Sequence, residues 1–485
     1  MRDAVALQTR SNPDATALVD AATDATWTFR DLDADIEEMA GRLAACGVQR
    51  GDRVAVLMEN RPAFVRLVFA CARLGAVLVP LNARLATPEL SAQAERVGPA
   101  LVVCEADTAD AARALPVPAV SVDAEGDIEH LGARSPKRFE PAALSWTDTR
   151  AVMFTSGTTG DPKAVRLTYA NVAASAVASS FRLGVLPEDS WLCPLSLYHM
   201  GGLSVVLRSA LYGTTAVLTR GFDADGVRSA LATHDCTGVS LVPTMLDRLL
   251  DAGSLPDSLR FALVGGAPTP PELVERALNA GVPVCPTFGM TETASQVATL
   301  HATEARDRPD SSGRPLLGTD VTVLDEDGDV LPAGETGELV VSGPTVTPGY
   351  LSADANTDKF CEHGLRTGDF GFVDSAGFLH VGGRQTDQIV TGGENVHPEE
   401  VAAVLRDHPA VEDVAVIGVP DEEWGERVAA IVVAEGVTAD DLRAFCGDRL
   451  ARYKHPRTIA FAETVPRTAS GTVDREAVRR ELETE

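Results

Sequence analysis

The sequence predicts an α/β protein in which a large N-terminal domain of α/β subdomains carries a β-barrel-like subdomain and is followed by a small α+β C-terminal domain. Three observations predict this. At 485 residues the chain is longer than one hydrophobic core usually organises. Its first half alternates short apolar runs with amphipathic helical stretches on short connections, the pattern of a mostly parallel sheet covered by helices. From about Gly313 the pattern turns to short strands broken by Gly, Asp and Pro.

The elements follow in order. Arg53–Met58 is an apolar run of strand length, Phe64–Gly75 has helical spacing, and Ala76–Pro80 is strand again. Leu101–Cys104 and Ala151–Phe154 continue the alternation. Asp107–Leu144 is richer in Ala, Pro and charge, and reads as surface connection. Beyond Gly313, the short strands Val321–Leu324, Gly337–Val341 and Phe378–Val381 are set off by turns such as Asp327–Gly328, which marks the antiparallel or barrel-like part. After Gly383 helix and strand mix once more: helix at Pro398–Arg406, strands at Val411–Val419 and Ala429–Ala434, helix at Ala439–Leu450. The domain boundary is expected near Arg384, dividing 1–383 from 384–485.

Charge narrows the function classes. Acidic residues outnumber basic ones 70 to 42, for a formal charge of −28, and only four of the basic residues are lysines (Lys137, Lys163, Lys359, Lys454). Such a surface repels nucleic acid and anionic lipid, so neither is expected as a partner. It also repels itself until salt screens it, which points to a high-salt, halophile-like cytoplasm, although an ordinary acidic soluble protein would read the same way. No apolar run approaches the roughly 20 residues of a spanning helix, and the N-terminus lacks an apolar signal core, so no membrane span and a cytoplasmic location are expected. The eight cysteines are scattered without C-x-x-C or zinc-finger spacing, as small buried hydrophobes in a reducing compartment would be.

Three segments carry chemistry. Directly after Phe154 comes Thr155-Ser156-Gly157-Thr158-Thr159-Gly160-Asp161-Pro162-Lys163. Hydroxyls and glycines let backbone N–H groups approach phosphate oxygens, and Lys163 adds charge. The spacing differs from G-x-x-x-x-G-K-[ST], which excludes the usual NTPase loop. A polar surface turn would share this composition, but here one of four lysines is concentrated with the glycines and hydroxyls. Next, Thr287-Phe288-Gly289-Met290-Thr291-Glu292-Thr293 offers an aromatic to stack on a base, hydroxyls for a phosphate and a carboxylate for Mg²⁺. Third, Thr367-Gly368-Asp369 and Gly383-Arg384 suit the hydroxyls of a ribose, though a solvated turn looks alike.

Taken together and in this order, the motifs resemble the adenylate-forming superfamily of acyl-CoA synthetases, luciferases and peptide-synthetase adenylation domains. The resemblance runs over essentially the whole chain. It rests on 155–163, Gly265-Gly266-Ala267-Pro268, Phe288–Glu292, Thr367–Asp369, Gly383-Arg384 and Gly392-Gly393-Glu394-Asn395, and continues through Trp424-Gly425-Glu426, Tyr453-Lys454 and Pro466–Gly471. It implies a large domain that binds ATP and an acid, a small C-terminal domain that swivels over it, an acyl-adenylate intermediate, and coenzyme A as acceptor. It further implies that Thr155 to Lys163 cradle the β,γ-phosphates and that Gly265, Gly266, Ala267, Phe288 and Gly289 frame adenine. Thr291 would contact the α-phosphate, Glu292 would bind Mg²⁺, Asp369 and Arg384 would hold the ribose, and Gly393, Glu394 and Asn395 would line the pantetheine path. The catalytic set implied is Thr291, Glu292 and Lys163.

The chain departs from the pattern at three places. Ala164 replaces a usual Gly and Phe288 a usual Tyr, both mild changes. Thr472 stands where the family places a lysine that reaches the α-phosphate and carboxylate. Three readings stay open: Lys454 or Arg475 supplies the charge, adenylation proceeds more slowly, or that half-reaction is lost. The acid is signalled by Tyr198-His199-Met200-Gly201-Gly202-Leu203-Ser204, by Arg208, and by Thr291-Glu292-Thr293-Ala294-Ser295-Gln296, which resemble the o-succinylbenzoate–CoA ligases of menaquinone biosynthesis. That resemblance implies substrate contacts from His199, Arg208 and Ser295. A dicarboxylic acid activated at one end needs a cation for the other, and a guanidinium suits that role. An exposed helix residue for Arg208, a packed core histidine for His199, and another aromatic or medium-chain acid are the alternatives.

Overall fold

A computed structural model of the chain describes residues 3–124, 126–155, 162–384, 389–466 and 473–483. Two compact units are present. One comprises Met1–Ala83, Ala94–Phe154 and Ala164–Gly382; the other comprises Arg84–Gln93, Thr155–Lys163 and Gly383–Glu485.

In the first unit one sheet is nine-stranded, and the four apolar runs expected as strands fall in a second, six-stranded sheet. The order of the nine strands is Arg314–Pro315, Ser295–Thr299, Val284–Met290, Phe261–Val264, Gly238–Leu241, Ser190–Cys193, Thr215–Leu218, Thr16–Asp20 and Ala25–Thr28. The six central strands pair in parallel, and antiparallel strands close both edges. Both faces are covered, so neighbouring residues go to different cores: Trp191, Phe261 and Leu263 to one, Leu192, Ala262 and Val264 to the other. On the first face Trp191 meets Phe261 edge-on at 4.8 Å between centroids, and its indole N–H donates to Ser240 Oγ at 3.0 Å.

The second sheet runs Ala119–Ser121, Leu101–Cys104, Arg53–Leu57, Val77–Pro80, Thr149–Thr155 and Lys163–Thr168. Here one expectation is corrected. The stretch 107–144 is more than connection: Ala109–Ala114 is helical and Ala119–Ser121 pairs with Leu101–Cys104 as a short edge strand. With only three residues, that strand has too little periodicity to be read. Helix Phe29–Ala45, begun by a capping box between Thr28 and Asp31, packs Leu32, Ile36 and Leu43 into the shared core with Phe64 and Leu67 of helix Pro62–Leu74.

Beyond residue 313 the expected antiparallel part is present. Asp320–Leu324, Gly337–Ser342, Gly364–Val373 and Phe360–Cys361 pair in that order, and Leu379–Arg384 adds to Gly364–Val373. In the second unit Val411–Asp421 and Gly425–Ala434 form a long hairpin joined by Ile389–Thr391, Glu394–Val396 and Thr458–Phe461. Val414, Val416 and Val428 face Leu405 and Leu442 of two helices, while Ile417, Ala429 and Ile431 face Val478 and Leu482 of a third. This is the small α+β unit expected from the mixture of helix and strand after Gly383.

Candidate active site

The carboxyl ends of the parallel strands are where ligands bind in open α/β sheets, and there the chain gathers its motifs. Gly265 follows Phe261–Val264, Leu195–His199 follow Ser190–Cys193, and Thr287–Met290 extend their strand past its last parallel pairing at Pro286. Gly265 is required here, because a Cβ on it would lie 2.6 Å from Thr287 Cγ2 and 2.9 Å from Thr287 O. Its neighbour Gly266 adopts φ +84° and Ala267 is half-buried. Phe288, also half-buried, keeps ring surface accessible on the same strand.

Thr291 and Glu292 sit on the tip of a β-hairpin. Val284–Met290 and Ser295–Thr299 pair antiparallel, Met290 opposite Ser295, and Thr291–Thr293 make one 3-10 turn between them. The hairpin closes so tightly that a Cβ on Gly289 would fall 1.7 Å from Ser295 O. The turn ends with two non-glycine residues of positive φ, Ala294 at 52° and Ser295 at 104°, which is sterically costly backbone of the kind held at functional sites.

Other elements clamp this tip. Asn171, in the capping box of helix Tyr169–Leu183, donates from Nδ2 to Pro344 O at 2.9 Å and Val346 O at 2.8 Å. The segment so fixed reaches back: Thr347 N donates to Glu292 O at 2.7 Å, and the Tyr350 hydroxyl donates to Glu292 Oε1 at 2.9 Å. Burial, then the adjoining carboxylate, push the Tyr350 hydroxyl up in pKa, so it stays a donor and Glu292 an acceptor. Glu292 is 6% exposed. A buried carboxylate beside the Thr291 hydroxyl is a hard oxygen donor set, and Mg²⁺ is ordinarily held by one or two carboxylates together with substrate phosphates. Residues and metal fit.

Asn60 organises the loop that leads to His199. Its Nδ2 donates to Leu195 O at 2.8 Å and Thr219 O at 3.2 Å, and its Oδ1 accepts from Leu197 N at 2.8 Å. One side chain at the end of Arg53–Leu57 thereby ties the carboxyl ends of both sheets and sets the loop to His199, whose ring meets Tyr198 edge-on at 4.9 Å. Helix Met200–Tyr212 starts after His199 and buries Arg208 to 2% exposure. Arg208 Nη2 donates to Ser175 Oγ at 3.0 Å; Nε and Nη1 are buried with no partner among the described residues. Burial alone drives the guanidinium pKa down, with Tyr212 opposing it. A buried cation without a counter-anion is unfavourable unless a ligand completes it.

The model of the AMP-binding enzyme family matches residues 5–351, and that of the AMP-binding enzyme C-terminal domain matches residues 400–472. The chain belongs to the AMP-binding enzyme family. Among similar family members is the 2-succinylbenzoate–CoA ligase of Bacillus cereus (strain Q1), 39% identical over 476 residues, which covers 97% of this chain and 95% of that protein. Among solved structures, a double mutant of o-succinylbenzoate CoA synthetase (MenE) from Bacillus subtilis bound to its product analogue OSB-NCoA is 36% identical with a TM-score of 0.93, over 100% of this chain and 98% of that one. The same enzyme in complex with ATP and magnesium ion gives a TM-score of 0.76 at 36% identity, covering 100% and 99% of the two chains. The amide bond synthetase McbA from Marinactinospora thermotolerans, 30% identical over 99% of both chains, gives 0.89.

As an AMP-binding enzyme the chain places its remaining expected residues as follows. Thr155 ends one strand and Lys163 begins the neighbouring one in the sheet; Ser156, Gly157, Thr158, Thr159 and Gly160 lie outside the described residues. Asp369, 4% exposed, stands on Gly364–Val373, its N–H donating to Thr367 Oγ1 at 3.0 Å. Arg384 ends Leu379–Arg384, and its side chain lies outside the described set. Gly392 and Gly393, at φ 58° and 81°, make the two-residue turn of a hairpin, a geometry that demands positive φ at both central residues. Beyond it Glu394 is buried, 3.4 Å from Arg84 Nη1, and Asn395 is exposed.

Thr472 also lies outside the described residues. Of the cations offered in its place, Lys454 is already engaged: 5% exposed, it donates to Glu400 Oε1 at 2.7 Å and Glu89 Oε1 at 2.5 Å, all within the second unit. Burial opposes its charge, but Glu400 and Glu89 outweigh burial and hold the ammonium above its ordinary range. Arg475, at the start of helix Arg475–Glu483, is lowered by burial and by Arg479. Sequence reasoning missed Asn60, Ser175 and Tyr350, since none belongs to a motif whose spacing signals its partner.

Proposed function

We propose that this AMP-binding enzyme is an ATP-dependent acid–CoA ligase whose acid is 2-succinylbenzoate, as in menaquinone biosynthesis. An oxygen of one substrate carboxylate bonds to the α-phosphorus of ATP as the bond to pyrophosphate breaks. The thiol sulfur of coenzyme A then bonds to the acyl carbon, AMP departs, and the thiol proton passes to solvent. For the first step the chain supplies position and charge more than covalent chemistry: Thr291 and Lys163 toward phosphate oxygens, Glu292 toward Mg²⁺, Asp369 and Arg384 toward the ribose. For the second it supplies the Gly393–Asn395 hairpin.

The observation that carries the choice of acid is Arg208, a buried guanidinium whose Nε and Nη1 have no partner among the described residues. An acid with a second carboxylate completes it; a monocarboxylic acid leaves it uncompensated. Identity with named 2-succinylbenzoate–CoA ligases across 97% of the chain supports the same reading. McbA, an amide bond synthetase with a similar fold, makes the acceptor a point to test directly. We propose further that the swivelling part begins near Arg384, and that the enzyme works in a high-salt cytoplasm, supported by its charge of −28.

The test is thioester formation with ATP, Mg²⁺ and coenzyme A in concentrated KCl, across 2-succinylbenzoate, benzoate, succinate and octanoate. Thioester from 2-succinylbenzoate with a kcat/KM at least about 100-fold above the others is expected. Pyrophosphate release without thioester removes coenzyme A as the acceptor. No pyrophosphate with any acid identifies the loss of Lys at 472 as loss of adenylation.

A further inference from the structure

The hydroxyl of Ser175 lies between the cation of the acid site and the strained turn of the nucleotide site. Ser175 is 2% exposed on helix Tyr169–Leu183. It accepts from Arg208 Nη2 at 3.0 Å and donates to Ala294 O at 2.6 Å. One proton orients the whole chain: the guanidinium can only donate and the carbonyl can only accept, so the hydroxyl hydrogen must point at Ala294. Ala294 holds the positive-φ corner that returns the chain from Thr291 and Glu292 into strand Ser295–Thr299.

We infer that Ser175 is a positioning residue for acid discrimination. It fixes one Nη of Arg208, aims Nε and Nη1, and holds the turn bearing Thr291 and Glu292 against the same point. This rests on the reading of Arg208 as the partner of a substrate carboxylate. A purely structural serine would affect all acids alike; a positioning serine affects the acid whose second carboxylate Arg208 holds.

The experiment compares 2-succinylbenzoate with 4-oxo-4-phenylbutanoate, which lacks the ring carboxylate, in wild type, Ser175→Ala, Ser175→Thr, Arg208→Met and the double variant Ser175→Ala/Arg208→Met. Pyrophosphate release gives kcat and KM, and thermal unfolding checks that each variant is folded. Ser175→Ala is expected to lower the ratio of kcat/KM between the two acids about 10-fold, mostly through KM for 2-succinylbenzoate. Ser175→Thr, which keeps the hydroxyl, is expected to restore most of the ratio. In the double variant the ratio is expected to match that of Arg208→Met alone, the signature of two residues acting through one contact. An unchanged ratio in Ser175→Ala, or multiplied effects in the double variant, overturns the inference while leaving the acid site standing. An unchanged ratio in Arg208→Met overturns the acid-site reading and this inference with it.

Discussion

Replacing Arg208 by methionine separates a structural arginine from a ligand-holding one, because the two roles predict opposite effects on stability. The side chain is 2% exposed and, among the described residues, forms one hydrogen bond, to Ser175. Methionine retains its apolar length and removes the charge. An uncompensated buried cation disfavours the folded state, and replacing such charged groups by apolar residues of similar volume is neutral or stabilising by about 1–4 kcal/mol. Thermal unfolding without ligand is therefore expected at an equal or higher temperature. Toward the acid the change goes the other way. Nε and Nη1, on different edges of the guanidinium, are buried without a partner among the described residues, so a carboxylate gains at least one charge-assisted hydrogen bond at about 1.5–3 kcal/mol. Its loss lowers kcat/KM for 2-succinylbenzoate roughly 10- to 100-fold. Steady-state thioester formation and differential scanning fluorimetry on the same samples measure both. A fall of several degrees in Tm with kcat/KM unchanged would refute the reasoning, since it would show that the protein itself completes Arg208.

Three further outcomes follow from the geometry. Gly289→Ala is expected to lose at least about 10-fold in pyrophosphate release and about 1–3 kcal/mol in stability, read by denaturant unfolding, because the new Cβ meets Ser295 O at 1.7 Å and the Thr291–Glu292 tip must move. For Asp123, hydrogen bonding from Arg61 (Nη2–Oδ1 2.8 Å) lowers the folded-state pKa against the opposing effect of burial. Its stabilisation is thus full above the ordinary carboxylate pKa of 3.8 and fades as pH falls through the lower folded value. The stability difference between wild type and Asp123→Asn should therefore shrink as pH falls below 3.8, and a constant difference would contradict this. Finally, Tm should rise between 0.1 and 1 M KCl, where the Debye length falls from about 10 to 3 Å and the repulsion of 28 net negative charges is screened. A flat profile would leave the acidity unrelated to salt.

The sequence by itself determined whatever repeats with a period or sits in a contiguous run. Residues 53–58, 101–104, 411–419 and 429–434 announce strands because successive side chains must be apolar on one or both faces of a sheet. The motifs at 155–163, 287–293 and 392–395 are legible for a related reason: a phosphate loop or a two-glycine hairpin is built from neighbouring backbone, so its chemistry stays within one short segment. The three-residue strand Ala119–Ser121 was illegible because a span that short establishes no period. What the tertiary structure decided lies in contacts between distant positions. Ser175 meets Ala294 across 119 residues, Tyr350 meets Glu292 across 58, and Asn60 meets Leu195 across 135. Lys454 reads in the sequence as a spare cation for position 472; across 365 residues Glu89 engages it together with Glu400. Arg208 reads in the sequence as a substrate contact or as an exposed helix residue; folding buries it, with no carboxylate partner among the described residues. A side-chain hydrogen bond depends on where two chain segments meet and leaves no periodic trace in either, so the partners of the Thr291–Glu292 hairpin and of Arg208 become visible only in the fold.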